Sequence, residues 1–330
     1  MTESRMDRGP KIKKNHKKRK TILSIILIVL IALVAFGTYR YISIKNAVDD
    51  SYKSSGIEKQ RDTSELLSQK KPISILLMGT DTGELGRDYK GRTDSMMVVT
   101  INPQTNKTLI TSIPRDTAVK IPGYENYGVA KINAAYAYGS AKTSIDTVQK
   151  MLNIPIDFYA VINMKGLEQI INQVGGVTVN PLLSFDYEGY HFTKGEPTKM
   201  NGAKALAYTR MRYDDPENDF GREKRQRQVL ETVAKSSGSV NAILNPNFIN
   251  SLSKSTQTDI SFGDLTKIAT GYLGARDNME NTYLQGQSES NINGQSMEVT
   301  PNSELQNTTN QIRNSLGLDE AGTGDIAVEN

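Results

Sequence analysis

The feature that most constrains this chain is a run of uncharged residues, Thr21 to Tyr39, reading TILSIILIVLIALVAFGTY. A helix of that length rises about 1.5 Å per residue and nearly crosses a hydrocarbon core of about 30 Å. The twenty residues before it hold nine Lys or Arg (Arg5, Arg8, Lys11, Lys13, Lys14, Lys17, Lys18, Arg19, Lys20) and only two acids. A basic flank on the N-terminal side places that flank in the cytoplasm and everything after residue 40 outside. A cleaved signal peptide is the alternative, since Ala35-Phe36-Gly37 loosely resembles a cleavage site. Its basic and apolar parts are both long for that role, which favours an uncleaved single-pass anchor in the cell membrane.

The anchor also corrects the meaning of the net charge. The whole chain is +4, with 40 basic and 36 acidic residues. With the tail removed, the balance is 31 basic against 34 acidic, so the body has no nucleic-acid footprint. A basic tail held against a membrane has no element with which to read DNA. There is no cysteine, and the two histidines are His16 and His191. Disulfides, thiolate chemistry and Cys-ligated metals are excluded, and a histidine relay nearly so. Any chemistry must use carboxylates, arginines and hydroxyls, with or without a hard, oxygen-bound cation.

Residues 40–71 are polar with scattered apolar positions and read as a stalk or a helix continuing out of the membrane. ISILLMG (Ile73–Gly79) has the pattern of a buried strand. SMMVVTI (95–101) and KTLITSI (107–113) flank NPQTN, a hairpin signal. The residues 132–152 have helical periodicity, 156–163 that of a strand, and 164–175 that of a helix stopped by Gly175-Gly176 before a strand in VTVN. Later, LTKIATGYL reads as helix, TYLQGQ as a strand and SELQNTTNQIRNSLG as a last helix. This alternation predicts a three-layer α/β domain over 72–317 without repeats or an internal break. The polar end, 318–330, reads as disordered.

Four places carry candidate chemistry. GTDTGELGRDYKGRTDS leaves the first strand and sets Asp81, Arg92 and Asp94 around a glycine-rich loop, where ligands bind α/β sheets. Two carboxylates there suit Mg²⁺, although loop aspartates are also common turn and capping residues. In SIPRDT, Arg115 follows an apolar strand and must reach a ligand or an internal acid such as Asp116. In NGAKALAYTRMRY, Asn201 caps a short helix through Ala207. YTRMRY then reads as extended, which puts Arg210 and Arg212 on one face and Thr209, Met211 and Tyr213 on the other. An edge strand protected by charge is the structural alternative. In DFGREKRQRQVL, Asp219 is expected to cap a helix. Arg222, Gln226, Val229 or Leu230, and Val233 then share a face whose N-terminal end favours an anion. Arg225 and Arg227 point elsewhere and read as dispensable surface charges. Arginines match phosphate oxygens in fork geometry, so five of them beside two carboxylates describe a pyrophosphate site.

These residues resemble the LytR–CpsA–Psr (LCP) family of membrane-anchored cell-wall proteins. The likeness lies in the tail plus single span, ILLMGTD, GRTDSMMVV, SIPRD, KINAAYAYG, NQVGGVTV, NGAKALAYTRMR and DFGREKRQRQ, in that order over about Ile73 to Lys235. Gly139-Ser140 stands where Gly-Gly is common, and Asn218 where Gly is frequent; neither touches the charged set. The resemblance implies a three-layer α/β/α domain with a central mixed sheet behind one transmembrane helix. It implies an Mg²⁺-dependent phosphotransferase, with Mn²⁺ as a possible substitute. Such an enzyme moves an anionic glycopolymer, wall teichoic acid or capsule, from a polyprenyl-pyrophosphate carrier to the C6 hydroxyl of peptidoglycan N-acetylmuramic acid.

By motif position, the resemblance makes Asp81 and Asp94 the metal carboxylates. It makes Arg92, Arg115, Arg210, Arg212 and Arg222 the pyrophosphate clamp and Gln226 a further head-group contact. Asp81 or Asp94 is the candidate base, or Arg115 orients the hydroxyl. The family's lipid tail lies between sheet and helices, which makes the apolar positions of 132–152 and 164–174 candidates for its lining. A pyrophosphate hydrolase and a non-catalytic polyprenyl-phosphate binding protein or attenuator are the competing readings.

Overall fold

The computed structural model describes residues 37–80, 91–236, 253 and 255–328. The chain divides into two compact units, Met1–Ser43, of which residues 37–43 are described and helical, and Ile44–Asn330. Among the described residues no helix is long and apolar enough to cross a membrane. The expected span lies outside them except for residues 37–39.

The second unit is built on the apolar run at Ile73. That run forms β1 (Ile73–Thr80), hydrogen-bonded on both sides, which is why it tolerates no charge. On one side it pairs antiparallel with β2 (Thr93–Asn102), which turns back through the expected hairpin into β3 (Lys107–Ser112). On the other it runs parallel to β6 (Phe158–Asn163). With β11 (Thr256–Thr258) and β12 (Met279–Tyr283) at the edges, the order is β11-β6-β1-β2-β3-β12, a mixed six-stranded sheet. Short pairs, β4 (Ala118–Lys120) with β5 (Val129–Lys131), β7 (Val177–Val179) with β10 (Thr198–Met200), β8 (Phe185–Tyr187) with β9 (Tyr190–Phe192), and β13 (Gln287–Ile292) with β14 (Gln295–Val299), lie outside it.

The period-2 alternation of the strands sends their side chains to two unlike faces. Leu76, Met78, Met96 and Val98 are fully buried on one face. They pack with Ile145 and Val148 of the helix Ala134–Leu152, and with Leu305 and Ile312 of the helix Asn302–Ser315. Ile75, Leu77, Val99 and Ile101 point to the other face and stay partly exposed. Helices Thr63–Ser68 and Phe262–Gly271 cover one end of that face, around Leu66, Leu67, Ile73, Phe158 and Tyr272. In chain order these helices are α1 (Thr63–Ser68), α2 (Ala134–Leu152), α3 (Met164–Gln173), α4 (Gly202–Arg210), α5 (Asn218–Ser236), α6 (Phe262–Gly271) and α7 (Asn302–Ser315).

Three expectations change. The stalk is part of the domain from Ile44: Ile44, Ala47 and Val48 pack with Ile170 and Phe262. Arg61 forks onto the buried Asp157, and Lys59 pairs with Asp259, so two interior carboxylates are neutralised from this segment. The polar end is also tied down. Lys120 N–H donates to Ile326 O at 2.8 Å and Val328 N–H to Ala118 O at 3.1 Å, along an open edge of β4. Backbone pairing orders this end together with the packing of Ile326, Ala327 and Val328 on the core, a short apolar patch in an otherwise polar tail.

The third change concerns the arginine-rich stretch. α4 does not stop at Ala207 but runs on to Arg210, so Arg210 and Arg212 are not a strand pair. Thr209 and Met211 are buried while Tyr213 is 89% exposed, which no single extended face would give. The cause is Arg225, expected at the surface but only 1% exposed. Its Nε donates to Tyr208 O at 2.9 Å and its Nη2 to Met211 O, satisfying carbonyls that a helix end leaves orphaned. Nη1 pairs with the equally buried Asp215, which balances the charge. Arg227 is buried too, and its Nη1 donates to Ser112 Oγ at 2.6 Å. Neither is a dispensable surface charge. Arg225→Ala strands a buried carboxylate and two carbonyls, an expected loss of about 3–5 kcal/mol. Urea unfolding followed by circular dichroism measures it, and an unchanged midpoint would refute the assignment.

Candidate active site

Four chain segments converge beyond one end of the sheet. Asp94 sits at the start of β2, and Arg115 lies just after β3, where Pro114 ends the ladder. Arg212 lies in the connection between α4 and α5, and Asp219 and Arg222 in the first turns of α5. This connection folds back tightly: a Cβ at Gly221 would stand 1.9 Å from Asp215 Oδ2, so only glycine fits there.

Asp219, expected as a helix cap, instead binds three guanidinium groups. Its Oδ2 accepts from Arg115 Nε at 3.0 Å and lies 3.4 Å from Arg222 Nη2. Its Oδ1 is 2.8 Å from Arg212 Nε, an ion pair without hydrogen-bond alignment. Arg115 Nη1 donates to Asp94 Oδ1 at 2.5 Å, and Arg222 Nη2 to Asp94 O at 3.3 Å. Burial works against the Arg115 charge, but Asp219, Asp94 and Asp116 together outweigh it and raise its pKa. Burial lowers the pKa of Arg222, only partly offset by Asp219 and aggravated by Arg115. Its Nε is buried with no hydrogen-bond partner among the described residues, as is Gln226 Oε1 one turn further on. Buried donors and acceptors left unmatched are costly, so these two atoms call for polar partners beyond the described residues.

Gln226 also opens onto an apolar space. A narrow cavity of about 40 Å³ is lined by Leu77, Met97 and Ile162 of the sheet, Met164 and Leu167 of α3, and Gln226 and Leu230 of α5. Leu77 and Leu230 continue into a wider groove of about 440 Å³ with Val99, Ile101, Ile110, Val233 and Ile268. The partly exposed sheet face is thus a groove, and the shared face of Gln226, Leu230 and Val233 forms one wall. Of the two helical segments expected to line such a groove, α3 does so. α2 lies on the opposite sheet face, in the core.

A second cavity of about 240 Å³ meets the same cluster. Arg115, Asp116, Arg212 and Asp219 line it, together with Phe220, Glu223, Ser296 and Glu298. Burial pushes the Glu223 carboxyl up to about 8, against the pull of Arg227, and Glu298 up to about 7. Sequence reasoning missed both acids. The one available signal is that Glu223 and Arg227 are four apart on a helix.

The remaining candidates are placed as follows. Arg210 ends α4 and its 3.7 Å pair is with Glu188, not with the Asp219 cluster. Arg92 lines a separate polar cavity with Tyr127, Lys131 and Asn293. Asp81 lies outside the described residues. Among the described residues, no group of three His, Asp or Glu is arranged to hold a metal ion. Asp94 fits as one ligand, since Arg115 engages only its Oδ1, and Mg²⁺ takes one or two carboxylates with water and phosphate oxygens.

The model of the LytR_cpsA_psr family matches residues 38–314. The polyisoprenyl-teichoic acid–peptidoglycan teichoic acid transferase TagU of Enterococcus faecalis is 41% identical over 251 residues, covering 76% of this chain and 81% of that protein. Among solved structures, protein gbs0355 of Streptococcus agalactiae has a TM-score of 0.73 at 36% identity, covering 82% of this chain and 96% of its own. TagT bound to LIIa-WTA has a TM-score of 0.66 at 26% identity, covering 80% and 98%.

The two buried acids carry a pH dependence. Both hold their protons more tightly folded than unfolded, where a carboxyl titrates near 4.5. Their stability contribution is complete below that value and is lost as pH rises through about 7 to 8. Glu223 faces Arg227, Glu298, Arg222 and Asp219, and Glu223→Gln removes its titration. The variant's melting temperature should gain on the parent's between pH 6 and 9, by about 2–4 °C per kcal/mol removed. Parallel thermal melts across that range would contradict this.

Proposed function

The chain belongs to the LytR–CpsA–Psr family, and from that premise we propose that it transfers an anionic glycopolymer, such as wall teichoic acid, from a polyprenyl-pyrophosphate carrier to peptidoglycan. On this reading the acceptor is the C6 hydroxyl of N-acetylmuramic acid, and polyprenyl phosphate leaves. The observation that carries the proposal is the junction of an apolar groove with a guanidinium cluster, joined at Gln226 and Arg222 of one helix. A ligand fitting both has a long apolar tail and a multiply charged anionic head. Each methylene that leaves water for the groove contributes about 0.8 kcal/mol. The head meets charged donors already held in place, which is how charge developing in a transition state is stabilised without reorganisation.

In this scheme the pyrophosphate oxygens compete with Asp219 for Arg115, Arg212 and Arg222, and Gln226 supplies a further polar contact. The muramic hydroxyl attacks the phosphorus that carries the glycopolymer, and the bond from that phosphorus to the bridging oxygen breaks. The bridging oxygen leaves with polyprenyl phosphate, its charge met by arginine, while Asp94 or Asp81 accepts the hydroxyl proton. Mg²⁺ held by Asp94 and Asp81 would add positive charge at the phosphate oxygens. Thr21–Tyr39 anchors the protein in the cell membrane with its N-terminus in the cytoplasm. The folded unit outside is thereby confined to the surface that holds the carrier, which raises its effective concentration.

The test is transfer of a synthetic lipid-pyrophosphate-linked glycan to peptidoglycan oligomers by the full chain in detergent. Arg115→Ala and Arg212→Ala should each lower transfer about 10²–10³-fold, and chelation of divalent cations should abolish it. Undiminished transfer by either variant would place the chemistry elsewhere. Free glycan phosphate released with peptidoglycan present would mark a hydrolase, and lipid binding without turnover a binding protein.

A further inference from the structure

The cavity beside Arg115 and Asp219 shares no lining residue with the narrow apolar cavity; phosphates on Arg115 and Arg212 would account for that part of its wall, but not for the acids Glu223 and Glu298. Its most unusual wall is Glu223. This side chain is 4% exposed, and its Oε2 has no hydrogen-bond partner among the described residues. A buried carboxyl without a partner costs several kcal/mol unless something completes its hydrogen bonding. Glu223 follows Arg222 by one residue, about 100° round the helix, so α5 turns one side to the apolar cavity and another to this one.

Glu298 forms part of the same wall and is 7% exposed. Its Oε1 accepts from Gly286 N–H at 3.0 Å, and its own N–H donates to Asp116 O at 2.8 Å, which fixes β14 against the cavity. Burial favours the neutral form of both acids. A neutral carboxyl both donates and accepts, and does not repel a phosphate bound next door. Ser296 and Asn218 add neutral polar groups, and Phe220 adds an apolar surface. Neutral donors and acceptors around an aromatic ring match a sugar, whose hydroxyls and C–H faces need both.

Direction decides which sugar. In-line displacement at phosphorus requires the attacking hydroxyl to approach opposite the leaving oxygen. The leaving polyprenyl phosphate runs into the apolar groove. The Asp94–Arg115–Asp219 chain leads from Ser95, which lines that groove, to the polar cavity. We propose that the cavity bounded by Arg115, Asp219, Phe220, Glu223, Ser296 and Glu298 is the acceptor-sugar subsite, with the Glu223 and Glu298 carboxyl groups hydrogen-bonded to its hydroxyls. The word acceptor rests on the transfer reading above; the sugar site itself does not.

The probe is an N-acetylglucosamine–N-acetylmuramic acid disaccharide, titrated calorimetrically into the full chain in detergent. Glu223→Leu should weaken binding about tenfold or more, the loss of roughly one to two hydrogen bonds. Glu223→Gln, which still donates and accepts, should stay close to the parent. Phe220→Ala, an independent wall change, should also weaken binding. In transfer assays Glu223→Leu should raise KM for the peptidoglycan oligomer and leave KM for the lipid donor unchanged. Absence of disaccharide binding by the parent, or equal binding by parent, Glu223→Leu and Phe220→Ala, would overturn the subsite. A rise in donor KM alone would also overturn it, by giving the cavity to the donor's sugar. If the binding pattern holds while no transfer occurs, the sugar site stands and the transfer reading falls.

Discussion

Three guanidinium groups do not gather in a part-buried corner unless something between them carries the opposite charge. Here that group is Asp219, which reaches Arg115, Arg212 and Arg222 at 2.8–3.4 Å. The carboxylate comes from the first turn of α5, Arg115 from the end of β3 and Arg212 from the loop between two helices. One interaction therefore ties the helix, the sheet and the connecting loop to a single point. The same carboxylate keeps the arginines assembled without a ligand. Work that would otherwise fall on the binding step is done during folding, the sense in which an electrostatic site is preorganised.

Around that point the structure is asymmetric, and the asymmetry is useful. One sheet face is filled by α2 and α7, while the other leaves Leu77, Val99 and Ile101 beside a groove. An apolar sheet face left partly open is a poor way to stabilise a domain and a good way to hold a long apolar chain. On α5, successive residues serve different compartments. Arg222 meets the guanidinium cluster at Asp219, Gln226 the apolar cavity, Glu223 the polar cavity, and Arg225 the interior. Arg225 closes the end of α4 and so sets the course of the loop bearing Arg212. A residue that touches neither cavity thereby positions one that does.

The central strands β1, β2, β3 and β6, most of the helices and the segments that meet at the site were legible in the sequence, because hydrophobic period and turn residues are local signals; the short strand pairs outside the sheet, apart from β7, were not. ISILLMG read as an interior strand, and SIPRD put Arg115 at the exit of β3. The roles within the arginine-rich stretch were misread for one physical reason. Whether α4 ends at Ala207 or Arg210 depends on carbonyls satisfied by a side chain 14 and 17 residues away. The same holds for the C-terminal tail, ordered by pairing with β4, and for the segment before β1, whose Lys59 and Arg61 neutralise buried acids far along the chain. Glu223 passed for one charge among many, since burial is not written in residue type.

By itself the sequence determined the class of chemistry: without cysteine, and with a single histidine beyond the apolar run, it left carboxylates, arginines and hydroxyls. It also determined the order of the main strands and helices and, through its motifs, the family. The tertiary structure decided which arginines gather on Asp219 and which cap carbonyls in the interior, because ion pairs and carbonyl caps form between residues distant in sequence. It also decided that the site has two compartments. A helix places neighbours about 100° apart, and only packing determines what each side meets.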